Sequence, residues 1–212
     1  GVYGIMTSTT FDPSAAARYI ADAHAKRQTF TNLPDAIAPR TIDDAYAAQE
    51  ALRSLWEPLY GPVAGWKIAV TTKVMQELMG IHHPCGGMIY TKRMHRSPMR
   101  LKLADHMHVV VECELGVRLK STLSAKSTPW TAAEVRREVA AVLPAYELIE
   151  DRNAVYKATK PTTLIADNAW NAGIVLGKPV VVPPSRDLNG ITGRLTMPGG
   201  TREGQTDDPM GA

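Results

Sequence analysis

The sequence predicts an α+β protein in which a helical N-terminal region precedes a mixed, mostly β body of roll or barrel type. Three observations carry this reading. Helix-start signals crowd the first quarter of the chain, a Pro58, Gly61, Pro62 cluster interrupts it, and apolar alternation at every second residue takes over beyond. The interruption divides the chain into a helical region over residues 12–62 and a β body over residues 63–212.

Asp12 before Pro13 is a helix cap followed by proline at the first helical position, and residues 15–26 are rich in helix formers. Thr41, with Asp44 three residues later, opens a second helix that runs through Tyr46, Ala47, Leu52 and Leu55 toward Trp56. Residues 65–70 read as a strand and residues 73–79 as a short helix closed by Gly80. The clearest strand spans residues 106–118, where Met107, Val109, Val111, Cys113, Leu115 and Val117 form an unbroken apolar face. Thr131 and Glu134 cap a helix expected to reach about Leu143, where Pro144 ends it before a strand over residues 145–150. Further strands are expected at residues 174–176, 180–182 and 191–197. Residues 201–212 are polar and read as a chain stopped in mid-domain, without a closing element.

With 212 residues, 44% of them hydrophobic and 21% charged, the chain has the size of one domain and can bury a core. Its 24 Lys and Arg against 21 Asp and Glu leave a net charge of +3. The charges are interspersed, which argues against nucleic acid as a partner. Two cysteines, Cys85 and Cys113, give no disulfide framework and no paired zinc knuckle, which points to a reducing, cytoplasmic compartment. No apolar run approaches the roughly 20 residues of a membrane span. Residues 1–6 lack the regions of a signal peptide and read as a vector remnant ahead of a natural start at Met6.

Glu112 and Glu114 fall on one side of the predicted 106–118 strand, with α-carbons roughly 7 Å apart. Carboxylates that close repel, and a hard divalent cation with oxygen ligands would cancel the repulsion. The plainer reading is a solvent-facing edge strand. Glu147 lies inside an apolar segment, where an acid needs either a metal or a cationic partner such as Arg152. Lys67, between Trp66 and Ile68, could hold a substrate carboxylate or simply reach solvent at a strand edge. The run Asp167-Asn168-Ala169-Trp170-Asn171-Ala172-Gly173 is a polar turn that either hydrogen-bonds a ligand or shapes the backbone. His82, His83, His106 and His108 match no zinc spacing. Cys113 is expected to pack on the apolar face rather than act as a nucleophile.

These pieces together resemble a family. Gly65-Trp66-Lys67-Ile68-Ala69-Val70-Thr71-Thr72 resembles the Gly-x-Lys-Ile-Gly-x-Thr-Ser segment of the 2-keto-4-pentenoate hydratase and 4-oxalocrotonate decarboxylase group, within the fumarylacetoacetate hydrolase superfamily. Val111-Glu112-Cys113-Glu114-Leu115-Gly116 is similar to its metal-binding Glu-x-Glu strand. Pro144-Ala145-Tyr146-Glu147 is similar to its third-ligand segment, and Ala166-Asp167-Asn168-Ala169 to its Asp-Asn-Ala turn.

The resemblance implies Mg²⁺ or Mn²⁺ held by Glu112, Glu114 and Glu147. It implies a small 2-oxo acid or its enol as substrate, with Lys67 holding the substrate or assisting proton transfer. Thr71, Asp167, Asn168 and Trp170 are the implied substrate contacts, and a homo-oligomer the implied assembly. Hydration of a 2-hydroxy-2,4-dienoate in aromatic-compound catabolism is the implied reaction. The alternatives are decarboxylation of a 2-oxo dicarboxylate, C–C hydrolysis of an acylpyruvate, or a non-catalytic metal-binding partner subunit. Two positions depart from the pattern: Cys85 stands where the family has an acid, and Trp170 where it has a serine. His83, or its neighbour His82, is the expected stand-in for the acid. Family members also continue for several strands beyond the segment that resembles residues 207–212.

Overall fold

The structure is a computed structural model that describes residues 10–210, so the expected vector remnant lies outside the described residues. Asp12 caps α1 (Pro13–Ala25) by accepting from the backbone N–H groups of Ser14 and Ala15. Thr41 caps α2 (Ile42–Tyr60) by accepting from Asp44 N–H, while the Asp44 carboxylate accepts from the N–H of Arg40, one residue before the cap. Pro58 lies inside the last turn of α2, and the helix ends only at Gly61, whose φ is +80°. Small residues let the two helices approach closely. Ala16, Ala17 and Ile20 of α1 and Ala48, Leu52 and Trp56 of α2 share one core.

Beyond the helices, β1 (Val63–Ala69) and β2 (Cys85–Tyr90) form an antiparallel ribbon. They are joined through α3 (Lys73–Met79), which Thr72 caps and left-handed Gly80 closes. The ribbon lies on the helical pair through Met88 and Tyr90. The main sheet has the order β3-β6-β5-β4, formed by β3 (Met94–Arg96), β4 (Val109–Leu119), β5 (Val139–Glu150) and β6 (Asn171–Leu176). Only the β3–β6 pair is parallel. Between these strands lie α4 (Ala132–Arg137) and α5 (Pro161–Ala166). The short β7 (Val180–Val181) also pairs with β5, and β8 (Thr192–Met197) forms a separate hairpin with β9 (Gly200–Gln205). The α+β class matches the expectation; among the described residues the sheets do not close into a barrel.

Four local expectations are corrected. The helix expected to reach residue 143 stops at Arg137, because Val139, Ala141, Val142 and Leu143 are buried as part of β5. Pro144 therefore sits within a strand, between the stretches of β5 that pair with β7 and with β6, where the ladder on that side is interrupted. Next, β4 starts at Val109 rather than residue 106, since the backbone N–H groups of Met107 and His108 donate to the Glu150 carboxylate instead of a strand. Third, the odd face of β4 is largely uncovered: Val111 is 46% exposed, and Cys113 is exposed rather than packed. The β8–β9 hairpin reaches this face only along part of its length. Last, the polar stretch from residue 201, in which no strand was expected, contributes to β9.

A candidate metal centre on the sheet face

Strand register brings the three predicted acids together. Glu112 of β4 lies directly opposite Glu147 of β5, and Glu114 follows two residues on, on the same face. One carboxylate oxygen from each lies within 4.8 Å of the others. Octahedral Mg²⁺ or Mn²⁺ spaces its oxygen ligands about 3–4 Å apart.

Their environments differ. Glu147 is only 1% exposed, yet its Oε1 has no hydrogen-bond partner although it faces Lys67 Nζ at 3.1 Å in an ion pair. Burial raises the Glu147 pKa, against the lowering effects of Lys67 and of the hydrogen bond from Asn171. Much of the Glu114 side chain meets solvent, but its carboxylate is ringed by protein. Desolvation, and then the charges of Glu147 and Glu112, push its pKa up to about 8. Three acids against one lysine leave a concentration of negative charge that a divalent cation would neutralise. An orphaned buried carboxylate oxygen and an all-oxygen donor set fit such an ion.

Lys67 comes from the neighbouring ribbon. Its ammonium is buried, paired with Glu147 and donating to the Ala169 carbonyl at 3.1 Å. Glu147 therefore pairs with Lys67 rather than with Arg152. The Ala169 carbonyl belongs to an unusual turn. Asn168, Ala169 and Trp170 have φ values of +55°, +48° and +59°, three successive non-glycine residues in the left-handed region. Each costs of order 1 kcal/mol, and such strain persists only where the surroundings enforce it. Here Asn168 supplies much of that enforcement: its side chain accepts from Met88 N–H and donates to Met88 C=O, docking the turn on β2. Gly87, directly opposite Lys67, makes room, since a Cβ there would lie 2.8 Å from the Asn168 carbonyl oxygen.

The other expected contacts are placed differently. Both carboxylate oxygens of Asp167 are engaged, one by His24 Nε2 at 2.6 Å and the other by Arg152 at 2.7 Å. This buried network ties α1 to the turn and leaves Asp167 as a brace. Asn168 is likewise committed to β2. Trp170 is buried against Phe30 and Tyr156, with its indole N–H unpartnered. Thr71 is exposed just after Val70, whose φ is +57°. His83 is exposed, and its one hydrogen bond among the described residues is to the Pro84 carbonyl. Cys85, two residues on, is buried at the end of β2, and burial pushes its thiol up to about 11 despite the charge of Lys67.

Sequence reasoning missed two contributors. Asn171 donates to Glu147 Oε2 at 2.7 Å. Arg93 stacks on Tyr60 at 3.7 Å and donates to the Asn171 carbonyl, holding that residue from its backbone. Asn171 lies in the run read as a polar turn, but no spacing rule marks it. A β-bulge between Leu148 and Ile149 changes the register and sets Asn171 opposite Ile149, on the Glu147 face.

No family model matches the chain. Among curated proteins it is 29% identical over 174 residues to the 2-keto-4-pentenoate hydratase of Paraburkholderia xenovorans, covering 82% of this chain and 64% of that protein. It is 30% identical over 169 residues to the 2-hydroxypent-2,4-dienoate hydratase of Pseudomonas putida, covering 78% and 74%. The chain thus spans less than two thirds of the length of the first of these relatives. Among solved structures, 4-oxalocrotonate decarboxylase from Pseudomonas putida G7, complexed with magnesium and adipate, superposes with a TM-score of 0.73 at 21% identity over 86% of this chain and 69% of that one. With four motifs in order, the same fold, and this level of identity, the chain belongs to the 2-keto-4-pentenoate hydratase and 4-oxalocrotonate decarboxylase group of the fumarylacetoacetate hydrolase superfamily.

Proposed function

We propose that the protein is a divalent-metal-dependent lyase acting on a 2-oxo acid or its enol, and that it hydrates a 2-hydroxy-2,4-dienoate in aromatic-compound catabolism. The observation that carries this reading is the Glu112, Glu114, Glu147 cluster beside buried Lys67. The names of its relatives, which are hydratases of short dienoates, support it. Mg²⁺ is the proposed ion, with Mn²⁺ as its substitute. A cytoplasmic homo-oligomer belongs to the same proposal; among the described residues no helix is long and apolar enough to cross a membrane.

When bound, the cation supplies Lewis-acid polarisation of the substrate's carbonyl oxygen. The protein's own groups do the rest. Lys67 and Asn171 grip opposite oxygens of Glu147 and fix its orientation. An ammonium has three N–H donors; one goes to the Ala169 carbonyl and the charge pairs with Glu147, which leaves Lys67 donor capacity for a substrate oxygen or a proton transfer.

Decarboxylation is the second reading, and Cys85 favours it. Water addition calls for an acid–base group, whereas a buried thiol with a pKa of about 11 stays neutral and exchanges protons poorly near pH 7. Calorimetric titration of the metal-free chain with Mg²⁺ or Mn²⁺, followed by oxalate, tests the site. Oxalate's adjacent carboxylates stand in for the carboxylate and 2-oxo oxygens of the substrate. Oxalate binding only after metal supports an assembled site, and CO₂ release against water addition then separates the two readings. Metal binding without oxalate favours a non-catalytic subunit, and neither binding overturns the site.

A further inference from the structure

We propose that Asn171 is a further residue of the metal centre, one that locks Glu147 with its amide N–H₂ and offers its amide oxygen to an O–H donor held beside the cation. This rests on the reading of Glu112, Glu114 and Glu147 as a metal site. Asn171 is 4% exposed and shares a face with Glu147 and Ile149 because of the bulge in the β5–β6 pairing. Its Nδ2 donates to Glu147 Oε2 at 2.7 Å and to the Gly173 carbonyl at 3.4 Å. Both neighbours are acceptors only, which fixes the amide orientation: exchanging nitrogen and oxygen would set oxygen against oxygen twice.

The oxygen Oδ1 is then the end without a partner, buried and unsatisfied. A buried amide oxygen left without a donor is destabilising, and such an orphan calls for an explanation. Lys67 pairs with Glu147 and donates to the Ala169 carbonyl, Arg93 donates to the Asn171 backbone carbonyl, and none of the described residues donates to Oδ1. What would satisfy Oδ1 is a donor brought by a ligand, either a water carried by the cation or a hydroxyl of the bound acid. An amide oxygen accepts and cannot donate, so it selects for a ligand that presents O–H. A 2-hydroxy acid or an enol does so; a fully ionised dicarboxylate such as oxalate does not.

The test compares two ligands on the Mn²⁺-loaded chain at saturating metal: glycolate, which carries an O–H beside its carboxylate, and oxalate, which carries none. Mn²⁺ affinity is read from the electron paramagnetic resonance signal of the free ion. Substitution Asn171→Leu preserves approximate shape and removes both functions; Asn171→Asp keeps oxygen acceptors but loses the donor to Glu147. The expected results for Asn171→Leu are a 10- to 100-fold loss of Mn²⁺ affinity and at least a further 10-fold loss of glycolate relative to oxalate. Asn171→Asp should lose metal affinity while keeping more of the glycolate preference. Equal weakening of both ligands would overturn the acceptor role, because a displaced Glu147 harms them alike. Unchanged metal affinity would overturn the lock. If the unaltered chain binds no Mn²⁺, the metal reading itself fails, and this inference goes with it.

Discussion

Glu114 is the group whose protonation the site controls most visibly. Its pKa rises from 4.5 to about 8 in the metal-free protein through desolvation and the charges of Glu147 and Glu112. Between those two values the folded chain holds a proton that the unfolded chain has released. By linkage this group's contribution to stability is full below pH 4.5 and is lost as pH rises through about 8. A ligating carboxylate must be ionised, so metal binding near pH 7 releases that proton. Metal affinity is expected to rise with pH up to about 8 and then level off. Glu114→Gln should abolish binding and flatten the fall of melting temperature between pH 5 and 8. Calorimetry in buffers of different ionisation enthalpy, together with thermal melts across pH, checks both. An unchanged slope in the variant would assign the pH dependence to other groups.

Among the elements, the left-handed turn over residues 168–170 depends most on its neighbours. Its strain is held by the Asn168 bonds to β2 and by the absence of a side chain at Gly87. Gly87→Ala sets a Cβ 2.8 Å from the Asn168 carbonyl oxygen and about 3.0 Å from the Lys67 side chain. The crowding should cost about 1–3 kcal/mol in urea denaturation. It should also weaken metal affinity, since the Ala169 carbonyl that helps hold Lys67 must move. Loss of stability with metal affinity intact would mean that the turn supports the fold without tuning the site. The element boundaries teach a related lesson. The caps at Asp12, Thr41 and Thr131 were legible because they are local, satisfied by N–H groups two or three residues away. The switch from α4 to β5 at Val139 was not, because its cause is pairing with β4, whose residues lie some twenty positions earlier.

On the scale of the molecule, the site exists where three parts meet: the β1–β2 ribbon brings Lys67, the main sheet its glutamates, and the turn before β6 the Ala169 carbonyl. The two cysteines report on the two sides of this assembly. Cys85 is 1% exposed behind the ribbon, whereas Cys113 lies on the uncovered face of β4 beside exposed Val111 and Tyr146. An aromatic disulfide reagent should label Cys113 rapidly in the native protein and Cys85 only on unfolding. Protection of Cys113 that disappears on dilution would identify the uncovered β4 face as a contact between copies of the chain.

The sequence by itself determined the helical start, the α+β class, the three carboxylates and Lys67. Each is written in local spacing, in capping chemistry, or in a charged residue set among apolar ones. Only the tertiary structure decided that Lys67 rather than Arg152 neutralises Glu147, that Asp167 and Asn168 brace the turn, and that Asn171 holds Glu147. Those outcomes rest on strand register, a bulge and a left-handed turn. All three are set by packing between segments distant in sequence, where a shift of one residue turns a side chain to the other face of the sheet.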